Sequence, residues 1–318
     1  MGEKEIAINI DGGHLNGRLS VLERELEQAA ALGYDGAELS GYGVNAVING
    51  RLHRERVARV KEITRRYPLR YAVHGPCDLN LQLDTADRVA EKALAAYLEF
   101  GAEVEATIYV YHSGLVALHD AYWSLAPLPD AQTMAQRRQQ EVAALQRLAK
   151  RAAELGVVIA MENRDPHLWE VATLARAGLG IEALSTYHPG LLVEEVAAQI
   201  DAVGHPAVGM TLDTGHTYIA AHTCGFDYLD AVRRAAPYVR HIHLHDNFGK
   251  LDGYTSDQGE RLPLGQGDLH MPPGWGEIPL KETLQVLAGY QGLITLEIRP
   301  RYADHLGEAL AAARALLA

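Results

Sequence analysis

Eight short runs rich in Val, Ile, Leu and Tyr, at 6–10, 36–39, 70–74, 107–112, 157–162, 208–213, 240–245 and 293–298, each lead into a longer stretch with apolar residues every three or four positions. That alternation restricts the fold more than any other feature. Strand-period and helix-period patterns in strict succession require parallel strands joined by crossover helices. The helical stretches fall at 21–32, 57–66, 88–100, 134–155, 192–202, 228–236, 280–288 and 305–317. A doubly wound open sheet has the same rhythm, but it usually opens on a glycine-rich phosphate turn, and Gly12-Gly13 is too slight for one. The fold class read here is therefore α/β, a (β/α)₈ TIM barrel forming one domain over residues 1–318, somewhat above the usual barrel length of about 250 residues. The stretches after strands five and seven, 163–191 and 247–279, are long and predict a lidded active site at one face.

Composition narrows the partners. With 48% hydrophobic and 22% charged residues there is ample apolar surface for a core. Asp and Glu outnumber Lys and Arg by 41 to 29, and a net charge of −12 repels polyanions, so a small neutral substrate is expected rather than nucleic acid. Cys77 and Cys224 lie far apart and outside any CxxC pattern, which excludes a disulfide framework or zinc ribbon and predicts a reduced, cytoplasmic setting. No basic n-region and apolar h-region precede the first strand and no long apolar run occurs, so neither export nor a membrane partner is expected. A homo-oligomer is left open.

Polar, metal-capable residues end six of the predicted strands, where barrel active sites are built: His74, His112, Glu162, Asp213, His243 and Glu297. His241, His243 and His245 share one strand face because side chains alternate with period two, and His243 is the favoured ligand. A single strand-end carboxylate is as often a helix cap as a functional group. Several together are different, because burying three carboxylates without a cation is costly.

In order along the chain, His74-Gly-Pro, His112-Ser-Gly, Glu162-Asn, Leu212-Asp213-Thr-Gly-His216, His243-Leu-His-Asp246 and Leu296-Glu297 resemble the motif series of the xylose-isomerase-like barrel superfamily, which contains sugar isomerases and epimerases, inosose dehydratases and endonuclease IV. The resemblance spans nearly the whole chain. It implies one divalent metal held by Glu162, Asp213, His243 and Glu297, and room for a second ion at His74 and His112 with Glu162. A third nuclease ion needs the histidine matching His216 and an Asp-x-His ahead of a Gly-x-Gly turn. Here Gly259-Glu-Arg261-Leu-Pro-Leu-Gly-Gln-Gly puts Arg261 in that stretch, so this third site is expected to be lost. The carboxylate-rich set suits Mn²⁺ or Zn²⁺, with Mg²⁺ or Co²⁺ acceptable, and two added histidines favour zinc.

The implied activity is a metal-dependent isomerase or epimerase acting on a small sugar or polyol-derived ketone through proton abstraction and a metal-stabilised enediolate, with Glu162 and Glu297 as the acid/base pair. His216, His74, His112, Arg299 and Arg261 form the expected substrate-binding set. An inosose-type dehydratase in the same site is the alternative, and a binuclear-metal phosphoesterase resembling endonuclease IV the second. Arg164 also lies near the mouth. His245 and Asp246 are expected to orient ligands, His241 to be structural and His216 to sit in a loop; His14, after strand one, and Glu38, near the end of strand two, could face the mouth but are left out of the core set. Trp123, Trp169 and Trp275 fall in loops as packing residues. Cys77 and Cys224 lack basic neighbours in the sequence and are expected to be inert. The lysines fall outside the strand ends, which disfavours Schiff-base chemistry; only Lys250 is close to the mouth.

Overall fold

The computed structural model describes residues 4–113 and 117–318, so Gly114 of the His112-Ser-Gly motif lies outside the described residues. Eight parallel strands form the barrel: β1 Ile6–Ile10, β2 Gly36–Ser40, β3 Arg70–His74, β4 Ile108–His112, β5 Val158–Glu162, β6 Val208–Asp213, β7 Val239–Leu244 and β8 Ile294–Leu296. They pair in chain order, and β8 closes on β1 through Ile6 opposite Ile294. Every residue of β2 and β6 is buried, as expected for parallel strands covered on both faces. The (β/α)₈ reading of the sequence is thus the observed fold.

The longer helices are α1 Leu19–Leu32, α2 Arg54–Thr64, α3 Val89–Glu103, α4 Ala131–Leu155, α5 Leu168–Arg176, α6 Val193–Val203, α7 Thr214–Cys224, α8 Tyr228–Ala235, α9 Leu280–Val286 and α10 Leu306–Leu317. Of these, α4 shows how local chemistry sets the bounds. The Asp130 carboxylate accepts the Thr133 amide at 2.8 Å to start it, and Gly156 in the left-handed region ends it. Two helices differ from expectation. Residues 163–191 contain α5 as well as shorter helical turns, and His216, expected in a loop, lies in the first turn of α7. Seven of the eleven residues of α7 are buried, polar ones among them, so it lacks the one-sided apolar stripe that reveals a surface helix.

The pairing of β6 with β7 positions the site. Met210 faces Val239 but Thr211 faces His241, which leaves Arg240 as an extra, exposed residue on β7. This bulge sets His243 opposite Asp213. His245 lies just beyond the last strand residue, and Glu297 just beyond β8, so both side chains enter the mouth rather than the sheet proper. Among the described residues no helix is long and apolar enough to cross a membrane.

A buried carboxylate ties the outer layer to the barrel. Glu141 of α4 accepts from Tyr111 Oη at 2.6 Å, Gln82 Nε2 at 2.7 Å and Gln199 Nε2 at 2.5 Å, joining β4, the 81–83 turn and α6. Three donors compensate the desolvation of one buried charge. Tyr111→Phe removes one of them and is expected to lower stability by about 1–3 kcal/mol in urea unfolding. An unchanged midpoint would show that the clamp contributes nothing.

Candidate metal centre

His243 lies at the centre of the mouth, fully buried. Its Nδ1 is 2.9 Å from Glu162 Oε1, 3.2 Å from Glu297 Oε2 and 3.7 Å from Asp213 Oδ2. Four side chains from the ends of β5, β6, β7 and β8 therefore share one small volume. The opposite ring nitrogen, Nε2, is 3.1 Å from Glu38 Oε1, and Glu38 also pairs with His241 Nε2 at 2.7 Å. A carboxylate behind an imidazole fixes its ring orientation and leaves the other nitrogen free for a ligand. Glu38, left out of the core set in the sequence reading, is thus an integral part of the site, and His241 is its buried partner.

Asp213 divides its work. Its Oδ1 accepts the His216 amide at 2.6 Å, capping α7, while its Oδ2 lies 3.1 Å from His245 Nε2. Asn163 fixes its backbone, accepting the Asp213 amide at 2.9 Å and donating to the Asp213 carbonyl at 3.2 Å. His245 therefore touches a member of the central group, as expected. Asp246 does not: its carboxylate turns to the amides of Asn247, Gly274 and Ile278 and shapes the loop after β7.

A second group shares Glu162. His112 Nε2 is 2.8 Å and His74 Nε2 is 3.5 Å from Glu162 Oε2, and His74 Nδ1 lies 2.6 Å from the Gly75 carbonyl, to which it donates. A third group forms where none was expected. His216, Asp268 and His270 bring one ligand atom each within 4.8 Å of one another. The acid and imidazole come after the Gly265-Gln-Gly267 turn rather than before it, and Arg261 instead lies on the rim, 3.8 Å from Asp252. The expected loss of this cluster is therefore corrected, although the reading of Arg261 as no cation ligand agrees with its place.

A cavity of about 250 Å³ opens over these groups, lined by Tyr42, Arg164, Arg261 and Arg299 among others. Arg299 stands 3.5 Å from Asp11, and the Nε atoms of Arg261 and Arg299 have no hydrogen-bond partner among the described residues. None of the tryptophans or lysines lines it, and His14 faces Glu25 elsewhere. Cys77 does line it, with Sγ 3.8 Å from His112 Nε2. Burial raises this thiol, but His112 outweighs it and the group falls to about 6. That neighbour was invisible in the sequence because it comes from the next strand.

The donor set fits a divalent cation. The buried oxygens Glu162 Oε2 and Glu297 Oε2 receive no well-aligned hydrogen bond, although imidazoles surround them. Burial favours the neutral acids, yet His112 and His243 hold Glu162 far below the ordinary carboxylate range, and His270 with His243 holds Glu297 at about 2. The imidazoles respond in kind. Burial opposes their charge, but Glu162 lifts His74 to about 10, and Glu38 with Glu162 lifts His243 well above its usual value. Three buried carboxylates (Glu38, Glu162 and Asp213) and two half-buried ones (Asp268 and Glu297) thus draw positive charge inward, and a divalent ion supplies it without protons.

Residues 26–318 match the model of a family described as xylose isomerase-like TIM barrel. An uncharacterized protein of Mycobacterium tuberculosis (strain ATCC 25618 / H37Rv) is 29% identical over 292 residues, spanning 87% of this chain and 83% of its own. The crystal structure of a D-tagatose 3-epimerase-like protein superimposes with a TM-score of 0.66 at 18% identity, over 99% of this chain and 100% of the other. The IolI protein with a binding zinc atom gives 0.64 at 16% identity, over 98% and 96%. The structural likenesses show the fold.

The raised imidazoles predict a pH dependence. At pH 7 a ring lifted to about 10 holds its proton in the ion-free protein, and a ligand nitrogen must release it to bind a cation. Metal affinity should therefore strengthen as pH rises from 6 to 9. Calorimetric titration with Zn²⁺ in buffers of different ionisation enthalpy should show net proton release, and none would contradict this electrostatic account.

Proposed function

The chain belongs to the xylose isomerase-like TIM barrel family, and on that footing we propose that it is a divalent-metal-dependent isomerase or epimerase of a small sugar or polyol-derived ketone. The single observation that carries the proposal is the approach of three carboxylates, Glu162, Asp213 and Glu297, to within 3.7 Å of one imidazole nitrogen, His243 Nδ1, on a cavity floor. The likeness to a D-tagatose 3-epimerase-like protein and to a zinc-binding IolI protein supports the same reading. Mn²⁺ or Zn²⁺ is the proposed ion. Held by these four side chains, it would draw electron density from a substrate carbonyl and the neighbouring hydroxyl, which lowers the cost of losing the proton between them.

The chain's own groups do the proton work. Glu297, with 13% of its side chain exposed against 1% for Glu162, meets an entering substrate first, while Glu162 is reached from the cavity floor. Each is kept ionised by adjacent imidazoles, so its oxygens carry no proton when a substrate enters. Asp213 and His243, locked by Asn163 and Glu38, hold their positions through the reaction. At the rim, the unpartnered Nε atoms of Arg261 and Arg299 offer donors to the far end of the substrate, and Tyr42 closes the wall. A cytoplasmic setting with a small-molecule substrate belongs to the same proposal and is supported by the unpaired cysteines and acidic balance.

One observation favours a second reading. The His74, His112 and Glu162 group adjoins the first and gives the two-ion arrangement suited to phosphoester hydrolysis. Release of phosphate from a sugar phosphate, or nicking of abasic DNA, by the Zn²⁺-loaded protein would favour it.

Glu162→Gln and Glu297→Gln should each lower turnover of a ketose panel by about 100-fold or more. In deuterated water, NMR should show deuterium entering the carbon beside the carbonyl with the carbon skeleton and oxygen count intact. Full activity of Glu297→Gln would sink the acid/base pair. A product lacking the elements of water would reassign the protein as a dehydratase.

A further inference from the structure

Given the ketone chemistry proposed for the mouth, and resting on it, we infer that the substrate carries an oxyanion, a carboxylate or a phosphate, which Arg164, Arg261 and Arg299 hold at the end away from the carbonyl. All three side chains line one cavity of about 250 Å³ and come from the segments after β5, β7 and β8. Arg164 is the clearest case. It is half-buried, yet its guanidinium makes no hydrogen bond, ion pair or ring contact among the described residues. Its amide donates to the Gly190 carbonyl at 2.9 Å, so the backbone is anchored while the charged head is left free.

The other two guanidiniums are only loosely matched. Arg261 Nη1 is 3.8 Å from Asp252 and Arg299 Nη1 is 3.5 Å from Asp11, and the Nε atom of each is buried without a hydrogen-bond partner among the described residues. Those acids are engaged elsewhere. Asp252 accepts the Leu168 amide at 2.6 Å and faces His167 Nδ1 at 3.3 Å, and Asp11 accepts the His14 amide at 2.7 Å. Asp268 and Glu297 attract Arg299 as well, but their nearest partners are His270 and His243. A satisfied arginine in the same protein looks different: Arg147 forks Glu91 through Nε at 3.0 Å and Nη2 at 2.8 Å.

Arginine cannot relieve this mismatch by losing its proton, as a buried lysine or histidine can, so an underpaired guanidinium withdrawn from bulk water calls for an anion. Its planar donor fork fits the oxygens of a carboxylate or phosphate, whereas a hydroxyl leaves its charge unanswered. The cavity is of small-sugar size, so an oxyanion at the arginines and a carbonyl at the central group belong to one molecule. The net charge of −12 pointed to a neutral substrate, but a sum over the whole chain does not register three cations gathered at one mouth.

Titration calorimetry with D-fructose, its terminal-carboxylate analogue D-fructuronate and D-fructose 6-phosphate tests this, because the three share the ketone end and differ at the other. Zn²⁺-loaded wild-type protein should bind one of the two acidic ketoses at least about 10-fold more tightly than D-fructose, and which one it is tells carboxylate from phosphate. Arg164→Gln and Arg261→Gln should each cut that ratio by about 5-fold or more, and Arg164→Lys should restore part of it. A ratio near one in the wild type, or one that both glutamine variants leave unchanged, would overturn the subsite. If no ketose binds, inorganic phosphate is the probe: the wild type should bind it about 10-fold more tightly than the Arg164→Gln/Arg261→Gln double variant, and equal or absent binding in both would overturn it. Affinity rather than turnover is read, so protein that keeps the arginine-dependent preference but converts no ketose would sink the isomerase reading and leave the subsite standing.

Discussion

Crowded negative charge governs this molecule. Glu38, Glu162 and Asp213, buried, and Asp268 and Glu297, half-buried, converge at one end of a closed parallel barrel, where water cannot solvate them fully. An isolated ionised group in such a place is strongly disfavoured, so the surrounding structure must supply cations in matching number. It does so with His74, His112, His216, His243 and His245, whose proton affinity the neighbouring anionic groups raise against the cost of burial. Protons and divalent ions compete for the same role here, which connects the fold's electrostatics to its proposed chemistry.

Rigidity follows from the way each imidazole is held. His243 is backed by Glu38, His74 by the Gly75 carbonyl, His216 by the Asn163 carbonyl and His270 by the Glu297 carbonyl. In every case one ring nitrogen is fixed by an acceptor and the other faces the remaining ligand groups. Gly215 belongs to the same scheme, because a Cβ there would collide with the His245 ring. The barrel thus preorganises its ligands before any cation or substrate arrives, which limits the reorganisation that binding must cost.

Much of this was legible in the sequence, for physical reasons. Strand runs such as 70–74 and 208–213 are short, apolar and end in a polar residue, and a parallel barrel places such ends together at one mouth. Glu162, Asp213, His243 and Glu297 could therefore be collected before any geometry was known. Glu38 was seen near the end of its strand but set aside, because its partner His241 is more than 200 positions away and nothing along the chain links the two. Asp268 and His270 were missed because their place depends on a turn at two glycines, whose conformation leaves no periodic trace. The Cys77 and His112 pair and the burial of α7 are likewise products of tertiary packing, to which spacing along the chain is blind.

The central claim is that Glu162, Asp213, His243 and Glu297 share one ion. Crystals grown with Mn²⁺ and measured at the manganese absorption edge test it most directly. The account predicts an anomalous peak within coordination distance of all four side chains. Manganese bound only elsewhere, or a saturated crystal with no peak at that point, would contradict it.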